Sequence, residues 1–412
     1  MNVSRLGITF LFTLFCGVLQ SQNSACSGTR YLSKTFEEVK VTKAQLYGSN
    51  TSYGGTYKNL LMDIYEPKDD DAEVRPVVIL AFGGSFIHGN RTDLDKMCHF
   101  YASMGFVSVT IDYRLYDGPL YPIPSAAIMT DVAIKAMGDM KAAIRFLKQD
   151  AATKNLYKID TNLVFLGGVS SGAITANAVA YLDGLDKDDS QMNSAIIANG
   201  GLNGNSSSNF QYSSSVAGVL SFSGAVLDTN VIDASEPPIF MVHDDQDPTV
   251  AFGSGFANIF GFPIISVEGS LTMSIRANNI GLKNNLITVS NSAEHVSYFK
   301  SEATVWKDSV LNASTKFLNN IICPDYLQNI DGIDLFDIVS VYPNPNNGFV
   351  NLDFGSIEVN SVRLYTVDGR IIFKDEHINS SKYKFQIDGK LGLYFIEIAA
   401  HGRRKYFQII KK

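Results

Sequence analysis

Short, continuously apolar runs alternate with longer stretches of helical periodicity over most of the chain before residue 322. Continuous apolar runs rich in β-branched residues are typical of strands that helices cover on both faces. The clearest helical stretch, residues 131–148, repeats its apolar positions near the helical period. This alternation predicts an α/β fold with a mostly parallel sheet. The predicted strands are residues 60–65, 76–82, 106–112, 163–166, 216–222, 238–242 and 286–289.

Two segments depart from this pattern. Residues 184–215 are rich in Asp, Asn, Ser and Gly and have no sustained periodicity. We interpret them as an insertion over one end of the sheet, either a cap or mobile loop or a plain surface loop. After Cys323-Pro324, short alternating strands punctuated by Asn, Gly and Asp predict an antiparallel β-sandwich of about eighty residues. Its predicted strands include residues 350–354, 362–367, 371–373 and 393–398.

The N-terminus has the layout of a secretory signal peptide. Arg5 precedes an apolar run over residues 6–19, and a polar stretch of small residues follows. The run is too short for a comfortable transmembrane helix, so we expect a signal peptide over residues 1–22. A buried N-terminal helix is the alternative. No later segment is long and apolar enough to predict a membrane span.

Charge and cysteine content narrow the function classes. The net charge of -7 argues against a nucleic-acid partner, since phosphate binding needs clustered Lys and Arg. Cys26, Cys98 and Cys323 would remain after removal of the signal, which predicts one disulfide and one free thiol in an oxidising compartment. Their spacing is not that of a zinc site, and the sequence calls for no metal or cofactor.

A candidate nucleophile lies in the segment 168–172, Gly-Val-Ser-Ser-Gly. The segment follows the predicted strand 163–166 and precedes a helical run over residues 173–182. Strand, Gly-x-Ser-x-Gly and helix in this order predict a nucleophile elbow, a turn so tight that only small residues flank the serine. Ser170 is therefore the predicted nucleophile.

A serine nucleophile needs a base, and the base needs a carboxylate that orients it. In a fold of this type both partners follow the serine along the chain, the acid first. His295 follows the last predicted strand and is the predicted base. Two histidines precede the serine, two fall in the C-terminal module, and His243 is interpreted only as the end of its strand. The four histidines so excluded are His88, His99, His377 and His401.

The predicted acid is Asp247, just beyond the strand 238–242. Asp244 and Asp245 lie close by and are alternatives, as replacements for Asp247 or as solvated loop carboxylates. The segment 82–86, Phe-Gly-Gly-Ser-Phe, follows another strand at the same edge of the sheet. Its glycines would let backbone N–H groups approach a developing oxyanion; a flexible Gly-Gly turn is the alternative.

Over about residues 55–322, the sequence resembles the carboxylesterase/lipase group of α/β hydrolases. The resemblance rests on Met-Asp-Ile-Tyr-Glu-Pro at 62–67, on the segment 82–86 and on Asp-Tyr-Arg-Leu at 112–115. It implies an α/β-hydrolase catalytic domain over residues 30–322, whose mostly parallel central sheet is flanked by helices.

By the same resemblance, the N–H groups of Gly84, Ser85 and Ser171 would form an oxyanion hole. Phe82 and Phe86 would bind the substrate. Phe82 stands where the group usually has His, Ser85 replaces a Gly, and Ser171 replaces the more frequent Ala. The usual arrangement of helices in this fold also favours a disulfide between Cys98 and Cys323.

The tail resembles the type A C-terminal sorting domain of the type IX secretion system. Val-Tyr-Pro-Asn-Pro at 341–345 matches its opening phrase, and Lys411-Lys412 gives a basic end. The resemblance covers residues 337–412 and leaves 323–336 as a linker. It implies export across the outer membrane by the type IX machinery, with the protein then released or attached to the cell surface. A carbohydrate-binding sandwich is the alternative.

The leading hypothesis for function is hydrolysis of a carboxylic ester through an acyl-enzyme on Ser170. The ester could be a short acyl ester, a plant-wall feruloyl or acetyl ester, or a polyester. A serine exopeptidase of the same fold is the second hypothesis. An inactive binding or adhesion protein is the third, although such relatives typically lose the serine or the histidine.

Overall fold

The computed structural model describes residues 26, 29–184, 190–300, 304–324, 339–355, 357–366, 370–376, 378, 380–400 and 403–412. These residues form two compact units, which divide between Pro324 and Asp325. The predicted signal peptide, residues 1–22, lies outside the described residues. Most of the predicted linker, residues 323–336, also lies outside them.

The first unit is built on eleven described strands and six described helices. The strands are β1 Val39–Thr51, β2 Tyr57–Pro67, β3 Arg75–Ala81, β4 Val107–Ile111, β5 Ile159–Val169, β6 Gly218–Phe222, β7 Ala225–Val226, β8 Ile239–Asp244, β9 Ser254–Ile259, β10 Phe262–Gly269 and β11 Asn284–Val289. The helices are α1 Asp95–Ser103, α2 Ala126–Ala152, α3 Ser171–Tyr181, α4 Ser190–Ala198, α5 Ser270–Ile280 and α6 Thr304–Ile322.

Eight strands form one sheet in the order β1-β2-β4-β3-β5-β6-β8-β11. Only β2 runs antiparallel to its neighbours, β1 and β4, and the other adjacent pairs are parallel. Every residue of β3, β4, β6 and β8 is buried, as expected for strands covered on both faces. The predicted α/β-hydrolase fold is confirmed, and each of the seven predicted strands corresponds to a strand of this sheet.

Four described strands of the first unit were not predicted from the sequence. Strand β1 is a long edge strand with two register irregularities and mostly half-exposed residues. Strands β7, β10 and β9 form a separate antiparallel sheet in that order. The irregular exposure of β9 and β10 hides the alternation that would have identified them.

Helix α2 contains the helical pattern predicted at 131–148. Its N-cap is Ser125, whose Oγ accepts a hydrogen bond from the N–H of Ile128 at 3.4 Å. Such a cap satisfies one of the N–H groups that the first helical turn leaves unpaired. None of the helices that the structure describes is long and apolar enough to cross a membrane.

The predicted insertion, described at residues 184 and 190–215, is anchored to α2 over much of its length after α4. After α4, the chain forms a loop whose carbonyl groups accept hydrogen bonds from three buried cations of α2. Lys141 Nζ donates to Leu202 O at 2.9 Å, Arg145 Nη1 to Asn203 O at 3.0 Å and Lys148 Nζ to Ser215 O at 2.8 Å. The spacing of these cations, four and three residues, places them on one face of the helix.

The disulfide joins Cys26 to Cys323, and the free thiol is Cys98. One disulfide and one free cysteine were predicted, but the favoured pairing of Cys98 with Cys323 is wrong. Cys98 is fully buried within α1, and its carbonyl oxygen accepts a hydrogen bond from Ser108 Oγ of β4 at 2.6 Å. Cys323 follows the end of α6, where it meets the N-terminal segment.

The second unit consists of seven described strands in two antiparallel sheets. The strands are β12 Ser340–Tyr342, β13 Phe349–Asp353, β14 Ser361–Thr366, β15 Ile371–Asp375, β16 Lys382–Gln386, β17 Gly392–Ala400 and β18 Arg403–Lys411. The sheet orders are β12-β13-β16 and β15-β14-β17-β18. One apolar cluster includes Val350 and Leu352 of the first sheet and Leu364 and Ile396 of the second. The predicted antiparallel β domain is therefore confirmed.

Candidate active site

Ser170 occupies a strained turn between β5 and α3. Its backbone angles are φ 55° and ψ −119°, in a region that residues other than glycine rarely adopt. A Cβ atom on Gly168 would lie 2.2 Å from the carbonyl carbon of Gly172, and one on Gly172 would lie 2.1 Å from Ala81 O. The two glycines are therefore required for β5 and α3 to meet at the serine.

Ser170, His295 and Asp247 form one hydrogen-bonded chain. The Nε2 atom of His295 lies 2.8 Å from Ser170 Oγ, and its Nδ1 atom lies 2.6 Å from Asp247 Oδ2. The Asp247 side chain is fully buried, whereas that of His295 is 22% exposed. The structure thus brings together the three residues that the sequence predicts as nucleophile, base and acid.

The other two candidate aspartates hold the loop that carries His295. The carboxylate of Asp244 accepts hydrogen bonds from the N–H of Ser297 at 3.0 Å and from the hydroxyl of the same residue. Asp245 accepts from the N–H groups of Asn291 at 2.9 Å and Ser292 at 3.1 Å. Each of the three aspartates therefore has its own partner on this loop, and the partner of Asp247 is the imidazole.

Asp247 stays ionised in spite of its burial. Burial alone would raise the pKa of this carboxyl, but hydrogen bonding by His243, His295 and the N–H of Thr249 outweighs it and lowers the pKa to about 2. The second oxygen, Oδ1, accepts from the N–H groups of Thr249 at 2.8 Å and Val250 at 3.0 Å. The carboxylate is thus anchored on one side and faces His295 on the other.

The segment 82–86, which was predicted to contribute to an oxyanion hole, begins beside Ser170. A Cβ atom on Gly83 would lie 3.2 Å from Ser170 Cβ, and one on Gly84 only 2.1 Å from His88 O. Gly84 and Ser85 have φ values of 129° and 55°. Their N–H groups make no hydrogen bond to any residue that the structure describes. Ser171 begins α3, where N–H groups lack a partner within the helix.

Tyr113 holds this segment in place, a contact that sequence analysis did not identify although it noted the phrase at 112–115. Its hydroxyl donates to Phe82 O at 2.7 Å and lies 3.2 Å from Ser171 Oγ. The Phe82 ring stacks on the Tyr113 ring with centroids 4.4 Å apart. Phe82 was predicted to bind substrate, but its side chain packs on this tyrosine and does not line the described cavity beside the serine.

That cavity has a volume of about 130 Å³, and Ser170 is among the residues that line it. Phe86, the other phenylalanine predicted for substrate binding, lines it. Other lining residues come from α2, α3, α4 and the small β7-β10-β9 sheet, and from loops such as the one with Thr249 and Val250. The small sheet was missed in the sequence, where the only signal was the Phe260-Gly261 pair between two apolar segments.

Two regions of the chain match known families. Residues 62–228 match the model of the family BD-FAE, and residues 340–412 match that of the secretion system C-terminal sorting domain. The chain contains a BD-FAE domain and a sorting domain. The BD-FAE match includes Ser170 and the segment 82–86, whereas Asp247 and His295 follow it along the chain. The sorting domain marks the protein for type IX secretion, to the cell surface or the medium.

Solved structures similar to this chain include three of an esterase from the Planctomycetes species Thermogutta terrifontis. The propionate-bound form is 18% identical, with 68% of this chain and 93% of that chain covered and a TM-score of 0.47. The form phosphoramylated by tabun is 18% identical, with 69% and 96% covered and a TM-score of 0.48. The apo form is 19% identical, with 70% and 96% covered and a TM-score of 0.47. No curated protein matches the sequence.

Proposed function

We propose that the first unit is a serine carboxylesterase that hydrolyses esters through an acyl-enzyme. The observation that carries this proposal is the hydrogen-bonded chain from Ser170 Oγ through the His295 imidazole to the buried Asp247 carboxylate. A serine hydroxyl is a weak nucleophile unless a positioned base accepts its proton. The strained serine, the orienting carboxylate and the adjacent N–H groups together support acyl transfer.

In the first half of the reaction, Ser170 Oγ attacks the ester carbonyl carbon while His295 Nε2 takes the hydroxyl proton. Asp247 accepts the Nδ1 hydrogen bond and stabilises the imidazolium that forms. The N–H groups of Gly84, Ser85 and Ser171 donate to the oxyanion, and loss of one such donor costs about 3 kcal/mol of transition-state stabilisation. His295 then protonates the leaving alcohol, and the acyl group stays on Ser170.

In the second half, a water molecule gives a proton to His295 and attacks the acyl carbon. Collapse of the second tetrahedral intermediate releases the carboxylic acid, and the proton returns from His295 to Ser170 Oγ. Every proton transfer in this cycle passes through His295. Because the sorting domain marks the protein for export, we place the ester substrate outside the cell.

The test is release of p-nitrophenol from p-nitrophenyl butyrate by the chain without residues 1–22. Ser170→Ala should reduce kcat by about six orders of magnitude. Asp247→Asn should reduce it by about 10⁴ because the imidazole loses its orienting acceptor. The matched control is Asp160→Asn, near the start of β5 and ten residues before Ser170, which should retain activity because this carboxylate accepts from the N–H of Asn162 at 2.9 Å and contacts no residue of the candidate site. Equal rates of ester hydrolysis by folded Ser170→Ala and the folded parent would overturn the proposal. Absence of hydrolysis by both would also overturn it and direct attention to peptide substrates.

A further inference from the structure

The hairpin formed by β9 and β10 carries three exposed phenylalanines. Phe256 of β9, Phe260 in the turn and Phe262 of β10 are 53%, 66% and 56% exposed. A single exposed apolar side chain is ordinary on a protein surface, but several large ones on one hairpin mark an interaction surface. Packing within the first unit does not account for them, because each residue leaves more than half of its surface to solvent.

Phe260 also has a backbone conformation that phenylalanine rarely adopts. Ile259 pairs with Phe262, so Phe260 and Gly261 alone form the turn, with φ values of 52° and 81°. Two-residue turns with positive φ at both positions favour Asn-Gly or Asp-Gly, and a bulky residue at positive φ is strained. Neither the turn nor core packing favours a phenylalanine here. Strain of this kind is typical of functional positions.

The other face of the same hairpin lines the cavity beside Ser170. Ala257 and Ile265 are paired across the two strands, and both line that cavity. The next pair, Phe256 and Ser266, is exposed, because successive residues of a strand point to opposite faces. A surface that contacts the outer face of the hairpin therefore lies one strand layer from the candidate site.

The hairpin and its flanks are uncharged. Residues 251–267 include no Asp, Glu, Lys or Arg. An anionic membrane surface attracts clustered Lys and Arg, which this segment lacks, and the net charge of -7 opposes such binding further. An apolar phase, in contrast, can cover the segment without burying a charge. The composition of the hairpin therefore favours an uncharged apolar surface as its partner.

From these observations we infer that the β9-β10 hairpin docks the enzyme on the surface of a water-insoluble, uncharged ester, such as a triacylglycerol droplet. The three phenylalanines enter the ester phase, and the inner face of the hairpin keeps the cavity and Ser170 next to that phase. Export marked by the sorting domain is consistent with this substrate, since a droplet of insoluble ester must be attacked outside the cell. The inference rests on the proposed esterase function, because the docked ester must react at Ser170.

The test compares a dispersed ester with a dissolved one, using the chain without residues 1–22. Flotation with tributyrin droplets measures binding in the Ser170→Ala background, in which the droplets stay intact. Hydrolysis is measured in the parent background on tributyrin emulsion and on dissolved p-nitrophenyl acetate. The double variant Phe260→Asn, Phe262→Ser should fold, because Asn suits the turn. We expect its droplet binding to fall about 100-fold, from about tenfold per ring, and its hydrolysis of the dissolved ester to stay unchanged.

The matched control is the double variant Val74→Ser, Leu156→Ser. Both side chains are exposed. They precede the parallel strands β3 and β5, whose other ends lead to the segment 82–86 and to Ser170. The control thus removes two exposed apolar side chains from the opposite edge of the large sheet. Its droplet binding and its hydrolysis of both esters should match those of the parent.

The outcomes separate docking from the proposed function. Droplet binding that the Phe260 and Phe262 changes leave intact, or an equal loss of hydrolysis on dispersed and dissolved esters, overturns docking and leaves the esterase standing. Tighter binding to anionic phospholipid vesicles than to droplets also overturns it, as does a parent dimer that the double variant converts to a monomer in gel filtration. If folded protein hydrolyses no ester, droplet binding that falls in the double variant and not in the control supports docking alone.

Discussion

The Nε2 atom of His243 lies 3.4 Å from Asp247 Oδ2, the same oxygen that His295 contacts. His243 is fully buried, and its Nε2 atom also lies 3.0 Å from Val250 O. Because a carbonyl oxygen only accepts, we assign the proton to Nε2, and Nδ1 then accepts from Ser270 Oγ at 2.8 Å. His243, interpreted from the sequence only as the end of a strand, is thus a support beneath the acid of the candidate site.

Replacement of His243 should therefore reduce turnover more than substrate binding. His243→Phe keeps a flat ring but removes both nitrogen atoms. Asp247 therefore loses the contact of its Oδ2 atom with His243 Nε2 and shifts relative to His295. We expect kcat to fall about 10- to 100-fold, the effect of a small misplacement of a catalytic group, with KM nearly unchanged. Steady-state kinetics on p-nitrophenyl butyrate measures this split, and His243→Gln, which keeps a side-chain N–H donor, should recover part of kcat. Unchanged kcat in a folded His243→Phe variant would contradict the supporting role.

A methyl group at Gly84 should damage catalysis without unfolding the protein. Gly84→Ala places a Cβ atom 2.1 Å from His88 O at a φ of 129°, so the segment must move and its N–H groups leave the position that we propose for oxyanion binding. Loss of one such donor predicts a 10²- to 10³-fold lower kcat. The matched control is Gly55→Ala, at a φ of 87° with no atom within 4 Å of the added carbon. If both variants keep full activity, the segment does not bind the oxyanion.

The stability of the first unit should rise in alkaline solution because of Lys141. Burial, with a smaller effect of Arg145, lowers the pKa of this lysine to about 8 from 10.5. Between these pH values the unfolded chain binds a proton that the folded chain has released, so the free energy of unfolding increases as pH rises. The difference amounts to about 3 kcal/mol. Urea unfolding of the parent and of Lys141→Met at pH 7 and pH 10 measures it, and parallel pH dependences would contradict the prediction.

The disulfide should stabilise the first unit by closing a long loop. Cys26 and Cys323 are 297 residues apart in the sequence, and crosslinks over long loops typically contribute about 4 kcal/mol. We expect Cys26→Ser to lower the melting temperature. We also expect thiol reagents to leave the native parent, without residues 1–22, unlabelled. Cys98 does not react because burial raises the pKa of its thiol. Rapid labelling of one thiol in the native parent would show that Cys98 is accessible.

Local patterns in the sequence were enough to predict seven of the eight strands of the large sheet and the strained turn at Ser170. Strands β3, β4, β6 and β8 are buried along their whole length, and a run of apolar residues is the direct consequence. The turn at Ser170 depends on Gly168 and Gly172, whose neighbours leave no room for a side chain, so five consecutive residues predict it. The sorting domain was likewise identified from motifs that lie within short stretches of sequence, such as Val-Tyr-Pro-Asn-Pro at 341–345.

Only the tertiary structure decided which aspartate faces His295, which cysteines pair and what lines the cavity. Asp244, Asp245 and Asp247 lie within four residues, and the course of the loop alone determines that the third meets the imidazole. The cysteine pairing depends on the position of Cys26, which is 297 residues from Cys323 in the sequence. The cavity is lined by residues that lie between Ser85 and Val267 in the sequence. Some of them belong to β9 and β10, whose exposure does not alternate regularly. A single stretch of sequence carries information on its own geometry, whereas these contacts arise only when distant segments pack together.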